Sequence, residues 1–219
     1  MSVAHHLLYA LLWLSFGLGH SILADARVKA RLKPLFRAGY RLAYNLFAVF
    51  HVLLVIGAGW WLLGDGAAFD RASLLRILQG GASLAGAGVL LVALFSYDLG
   101  RFAGTAQLRA SAQGKFLDDE EPLHMSGLHR YVRHPIYAGA FLLLWGGIAD
   151  EFSLATAIFA SLYLWIGSRF EDRRLIARFG GSYARYRDRV PAFVPWKGQA
   201  WREETKTPHP NSPPQGGRE

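Results

Sequence analysis

The sequence predicts an all-α integral membrane protein. About five transmembrane segments are expected, the last two a short helical hairpin, with cytoplasmic amphipathic helices at the C-terminal end. Three observations predict this class. Hydrophobic residues make up 52% of the 219, and the chain still carries a formal charge of +8, with a mean hydropathy of +0.17. The apolar residues gather into runs of roughly bilayer length divided by polar turns. The basic residues segregate: 22 of the 24 lysines and arginines fall on one side of the expected membrane. By the positive-inside rule that side is cytoplasmic, which puts the N-terminus outside. A basic apolar chain without zinc-finger or RNA-binding signatures excludes a nucleic-acid partner. Cysteine is absent, which removes disulfides, thiolate metal sites and cysteine nucleophiles.

Val3 to Leu23 is about one bilayer thickness of apolar sequence, with no basic residue ahead of it to suggest a signal peptide. A basic connection follows, from Asp25 to Lys33. Leu42 to Leu63 is the second span, entered through Tyr40-Arg41 and closed at an interface by Trp60-Trp61. Leu74 to Leu94 is the third. Gly81 with Ala85, and Ala82 with Gly86, have the small-xxx-small spacing that lets helices approach closely. Tyr97 to Arg133 reads as a polar loop holding an acidic run, Asp118-Asp119-Glu120-Glu121-Pro122. Ile136–Ala149 and Phe152–Gly167 are each short for a full span and read as a tight helical hairpin or a partly re-entrant pair. From Ser168 the chain is basic and amphipathic, reading as two short surface helices broken at Gly180-Gly181. Residues 1–201 form one membrane domain, of which 122–196 carry the chemistry. Residues 202–219, rich in proline and glycine, are expected to be a disordered tail.

The chemistry-bearing stretch is Gly127 to Gly139, where His129, Arg130, Tyr131, Arg133, His134 and Tyr137 lie directly against an apolar run. Polar groups so close to hydrocarbon are costly unless they bind something. Pro135 starts a helix, and the N–H groups of Ile136, Tyr137 and Ala138 then make an anion seat. The hairpin returns the chain to this turn at Glu171, a hydroxyl binder facing Tyr131, Tyr137 and His134. The remaining histidines show no ligand pattern, so no metal is assigned.

His129 to Gly139 resembles the Arg-His-Pro-x-Tyr-x-Gly motif of the isoprenylcysteine carboxyl methyltransferase superfamily. Glu171, Phe179-Gly180, Tyr183, Tyr186 and Arg189-Val190-Pro191 resemble its closing motif. His20-Ser21 through Val28-Lys29, and Tyr40 to Asn45, are similar to the bacterial branch with methanethiol S-methyltransferases and NnrU-type proteins. The resemblance implies a methyltransferase using S-adenosyl-L-methionine (SAM), with His134, Pro135, Tyr137 and Glu171 on the cofactor; a further family tyrosine falls on His129, and Tyr131 is expected on the cofactor from its place in the turn. The acceptor is then a small molecule or lipid reached from the bilayer. The family arginine that holds a prenylcysteine carboxylate falls on Gly167, which points away from that acceptor and toward a thiol. A thiol must lose a proton, a task that falls to His129 or His20, with Arg133 steadying the thiolate. Two alternatives stay open at this point: an NADPH-dependent membrane reductase of the sterol-reductase type, and a non-enzymatic component of nitrogen-oxide metabolism.

Overall fold

The computed structural model describes residues 2–118, 123–197 and Trp201. Most of the acidic run and the proline-rich tail from 202 onward lie outside them. Among the described residues every regular element is helical. Helix α1 (Val3–Ala24) ends at Asp25, whose carboxylate accepts from the N–H groups of Arg27 and Val28 and starts α2 (Ala26–Phe36). Helix α3 is Tyr40–Leu63 and α4 is Ser73–Phe95. Two short helices follow, α5 (Leu99–Ala103) and α6 (Thr105–Ala112), then α7 (Pro135–Gly146), α8 (Glu151–Phe179) and α9 (Gly181–Arg189).

Four stretches are long and apolar enough to cross a membrane, those built on α1, α3, α4 and α8. Helix α7, at 12 residues, is shorter than a span. The hairpin expectation needs one correction: its second arm does not stop at Gly167 but runs 29 residues to Phe179. The reason is local. Asp150 and Ser153 close a capping box at its start, and past Gly167 the polar residues Ser168 and Asp172 turn inward to partners rather than ending the helix. The first of the two expected surface helices is therefore the end of α8. The break falls at Gly180, whose φ of +57° is a conformation that favours glycine. The stretch expected as a polar loop contains α5 and α6. They are held to α3 by Arg41 and Asn45, which donate to the carbonyls of Phe102 and Ala103.

Helices α1, α3 and α8 share an aromatic core. Tyr9, Trp13 and Phe16 from α1 meet Val55, Leu62 and Leu63 from α3 and Ala155 and Ala160 from α8. The Tyr9 ring lies over Gly59, and its hydroxyl is 2.8 Å from Thr156 Oγ1. Helices α4 and α7 make a second, antiparallel pair whose backbones nearly touch. A Cβ on Gly86 would sit 2.7 Å from the Gly139 carbonyl oxygen, and one on Gly146 2.6 Å from the Gln79 oxygen. Gly86 thus uses the small-residue spacing, whereas a Cβ on Gly80, Gly81 or Gly88 would meet nothing. At one end, Phe69 N–H donates to the Ala149 carbonyl, and Arg71 to that of Ile148. The opposite end gathers α2, α5, α6, α9 and the Arg-His-Pro turn.

Candidate active site

The turn before α7 is held by backbone as well as side chains. Arg133 N–H donates to the Pro191 carbonyl (2.9 Å) and His134 N–H to that of Ala192 (3.0 Å). Arg133 and His134 thereby lie beside the segment that follows α9. Pro135 occupies the first turn of α7, no side chain caps that turn, and the Ala138 N–H returns to the His134 carbonyl. Of the three N–H groups expected to be free, that of Ala138 is therefore committed to the helix.

Two consecutive carboxylates of α8 face this turn. Asp172 is the hub. It accepts from Arg133 through Nε (3.3 Å) and Nη2 (2.8 Å), from His134 Nε2 (3.1 Å) and from the Tyr183 hydroxyl. Its side chain is 10% exposed. Such a forked, hydrogen-bonded pair is the form in which buried charge is tolerated. Arg133 also donates to the carbonyls of Arg187 and Val190. Glu171 differs: it meets His134 Nδ1 at 3.4 Å and the Tyr137 hydroxyl, yet its side chain keeps 34% of its accessibility. The Tyr137 ring stacks on the His134 imidazole, with centroids 5.3 Å apart and planes at 12°.

His134 lies between two carboxylates. Burial alone would depress its pKa, but the hydrogen bonds and charges of Asp172 and Glu171 outweigh it and raise the pKa above the ordinary histidine value. His129 behaves oppositely. It is 5% exposed, and burial, with His124 and His134 nearby, lowers its pKa to about 4. Its Nε2 lies 2.9 Å from the Tyr97 hydroxyl, and its carbonyl accepts from Tyr186. The expected site residues thus divide. His134, Tyr137 and Glu171 come together, with Pro135 beneath them. Arg133 is spent on Asp172 and carbonyls, His129 is buried against Tyr97, and Tyr131 is 47% exposed.

Three relatives bear on what this arrangement is. The chain is 30% identical to a methanethiol S-methyltransferase of Crocosphaera subtropica over 193 residues, 84% of this chain and 72% of the relative. The chain belongs to the isoprenylcysteine carboxyl methyltransferase superfamily. Shorter stretches match other members. Methanethiol S-methyltransferase 1 of Bradyrhizobium diazoefficiens is 35% identical over 71 residues, 32% of this chain but only a quarter (25%) of that relative's length. The protein-S-isoprenylcysteine O-methyltransferase of Schizosaccharomyces pombe is 36% identical over 73 residues, 32% of this chain and 31% of the relative. No family model matches the chain, and no solved structure does.

Within the superfamily frame, the sequence motif led to Glu171 and overlooked Asp172 as the anchor of the turn. One signal was available: adjacent acidic residues on a membrane helix need cationic partners, and Arg133 is the nearest arginine of the turn. A second cluster, His20 with Tyr44 and Tyr163, left no local signal because its members come from three helices.

Proposed function

We propose that this protein methylates a small thiol with SAM, at the end of the bundle that carries the Arg-His-Pro turn. The observation that carries the reading is Glu171, a carboxylate enclosed by protein on most sides yet still accessible, beside Tyr137 and His134 at the uncapped start of α7. This donor and acceptor set suits SAM. The carboxylate accepts from ribose hydroxyls, the uncapped helix start receives the amino-acid carboxylate, and Tyr137 gives the adenosine an aromatic flank. When bound, SAM supplies an electrophilic sulfonium methyl. The protein's own task is alignment in a water-poor cleft.

A thiol acceptor is supported by the names of the methanethiol S-methyltransferase relatives and by Gly167, which stands where carboxylate-methylating members carry arginine. The topology supports a cytoplasmic site in a bacterial inner membrane, because the basic connections lie at this end. The test is calorimetric titration of detergent-purified protein with SAM and, on the same preparation, NADPH, followed by assay of methyl transfer to ethanethiol. SAM binding with turnover is the expected result. NADPH binding alone would transfer the case to a reductase, and neither ligand binding would leave a non-enzymatic membrane component.

A further inference from the structure

We propose that His20, together with Tyr44 and Tyr163, is the proton-accepting wall of the acceptor site. The inference rests on the thiol reading of the function and adds the group that ionises the acceptor. His20 Nε2 lies 2.6 Å from the Tyr44 hydroxyl and Nδ1 3.1 Å from that of Tyr163. The three residues come from α1, α3 and α8, with the Phe16 ring packed against Tyr163 at 4.9 Å.

Counting protons makes the cluster more than a peg. A neutral imidazole has one N–H and one lone pair. One tyrosine must therefore donate to the ring while the other accepts from it. The accepting tyrosine keeps its own O–H for another partner, and the donating one keeps a lone pair. Among the described residues neither hydroxyl has a side-chain partner other than His20. A thiol is a fitting occupant: its S–H donates to one tyrosine oxygen and its sulfur accepts from the other.

The cluster is also placed where an acceptor would lie. Tyr163 and Glu171 are eight residues apart on α8, about 12 Å of axial rise. Gly167 sits midway, and a Cβ there would meet nothing within 4 Å. The face of α8 between the two groups is therefore open at Gly167. The Arg174 guanidinium, without an ion pair among the described residues, is within electrostatic reach of His20, Tyr44, Tyr137 and Glu171.

In the transfer, the S–H bond breaks as its proton passes to the tyrosine oxygen, while that tyrosine's own proton passes to the imidazole. This leaves an imidazolium, two neutral tyrosines and a thiolate facing Arg174. The thiolate lone pair makes the new S–C bond as the donor's sulfonium S–C bond breaks. The imidazolium then returns its proton to water.

The experiment compares two acceptors of similar size, ethanethiol, which is protonated at neutral pH, and the more acidic 2,2,2-trifluoroethanethiol. In His20→Gln the ethanethiol rate should fall about 100-fold, the range of general-base assistance, and the trifluoroethanethiol rate by less than about threefold. SAM affinity, measured by calorimetry, should not change. Equal losses with both thiols at unchanged SAM affinity would overturn the inference and leave His20 a structural pin. If His20→Gln loses SAM binding, Tyr163→Phe, which keeps the ring, takes its place: a loss confined to ethanethiol upholds the inference, and equal losses overturn it. Should the unaltered protein methylate neither thiol, the proposed function fails, and this inference with it.

Discussion

Glu171 and Asp172 are neighbouring carboxylates at the same end of one helix, and the structure treats them differently. Asp172 accepts four hydrogen bonds from Arg133, His134 and Tyr183 and is nearly sealed from solvent. Glu171 holds two contacts, with His134 and Tyr137, and keeps a third of its surface. The lesson is that saturation separates a structural charge from a working one. A fully paired group has nothing left to offer a ligand, while an enclosed group with spare acceptor capacity does.

The largest expected effect tests the saturated side. Asp172→Asn strips the charge from a buried network and leaves Arg133 uncompensated, which should cost about 3–5 kcal/mol. The thermal midpoint in detergent should fall accordingly; an unmoved midpoint would deny Asp172 its anchoring role. Next comes Glu171→Gln, which should weaken SAM binding by about 10- to 100-fold, the worth of hydrogen bonds to a charged group, and leave the midpoint in place. If instead it unfolds the protein as severely as Asp172→Asn, the contrast between the two carboxylates collapses.

The same contrast can be sharpened with glycines on α4. Gly86→Leu forces a side chain into the α7 backbone and should destabilise by about 1–3 kcal/mol, whereas Gly81→Leu, which meets open space, should be neutral in detergent. The smallest effect is on pH. His129, with its pKa depressed to about 4, contributes stability that is present above the ordinary value of 6.5 and is lost as pH falls through this window. His134, with its pKa raised, contributes stability that is full below 6.5 and is lost as pH rises through its folded value. Unfolding midpoints across pH should therefore lose their acid limb in His129→Gln and their alkaline limb in His134→Gln.

Much of this was legible in the sequence because membranes make length readable. The runs ending at Leu23, Leu63 and Leu94 match α1, α3 and α4 within one or two residues, since hydrocarbon thickness sets them. Gly180 was readable as a break because few other residues tolerate its backbone. The Arg-His-Pro turn was readable because proline and clustered charge announce themselves. The length of α8 was not, because Asp172 looks like a surface residue until its partners from the turn and α9 are known. Nor were the partners of Arg133: an arginine beside a histidine suggests a catalyst, and only the structure shows its fork onto Asp172. His20 and Tyr163 are 143 residues apart, and no local pattern joins them.

The bonds from Arg133 and His134 to Pro191 and Ala192 also impose an order on biosynthesis. Every apolar stretch needed for insertion has been made before Pro191 is translated, so the nascent chain can lodge in the bilayer with its turn still open. Only the emergence of the last described segment closes it. Insertion and closure of the turn are thus separate events in the life of the chain, and a ribosome that stalls between them leaves an embedded protein whose turn is still open.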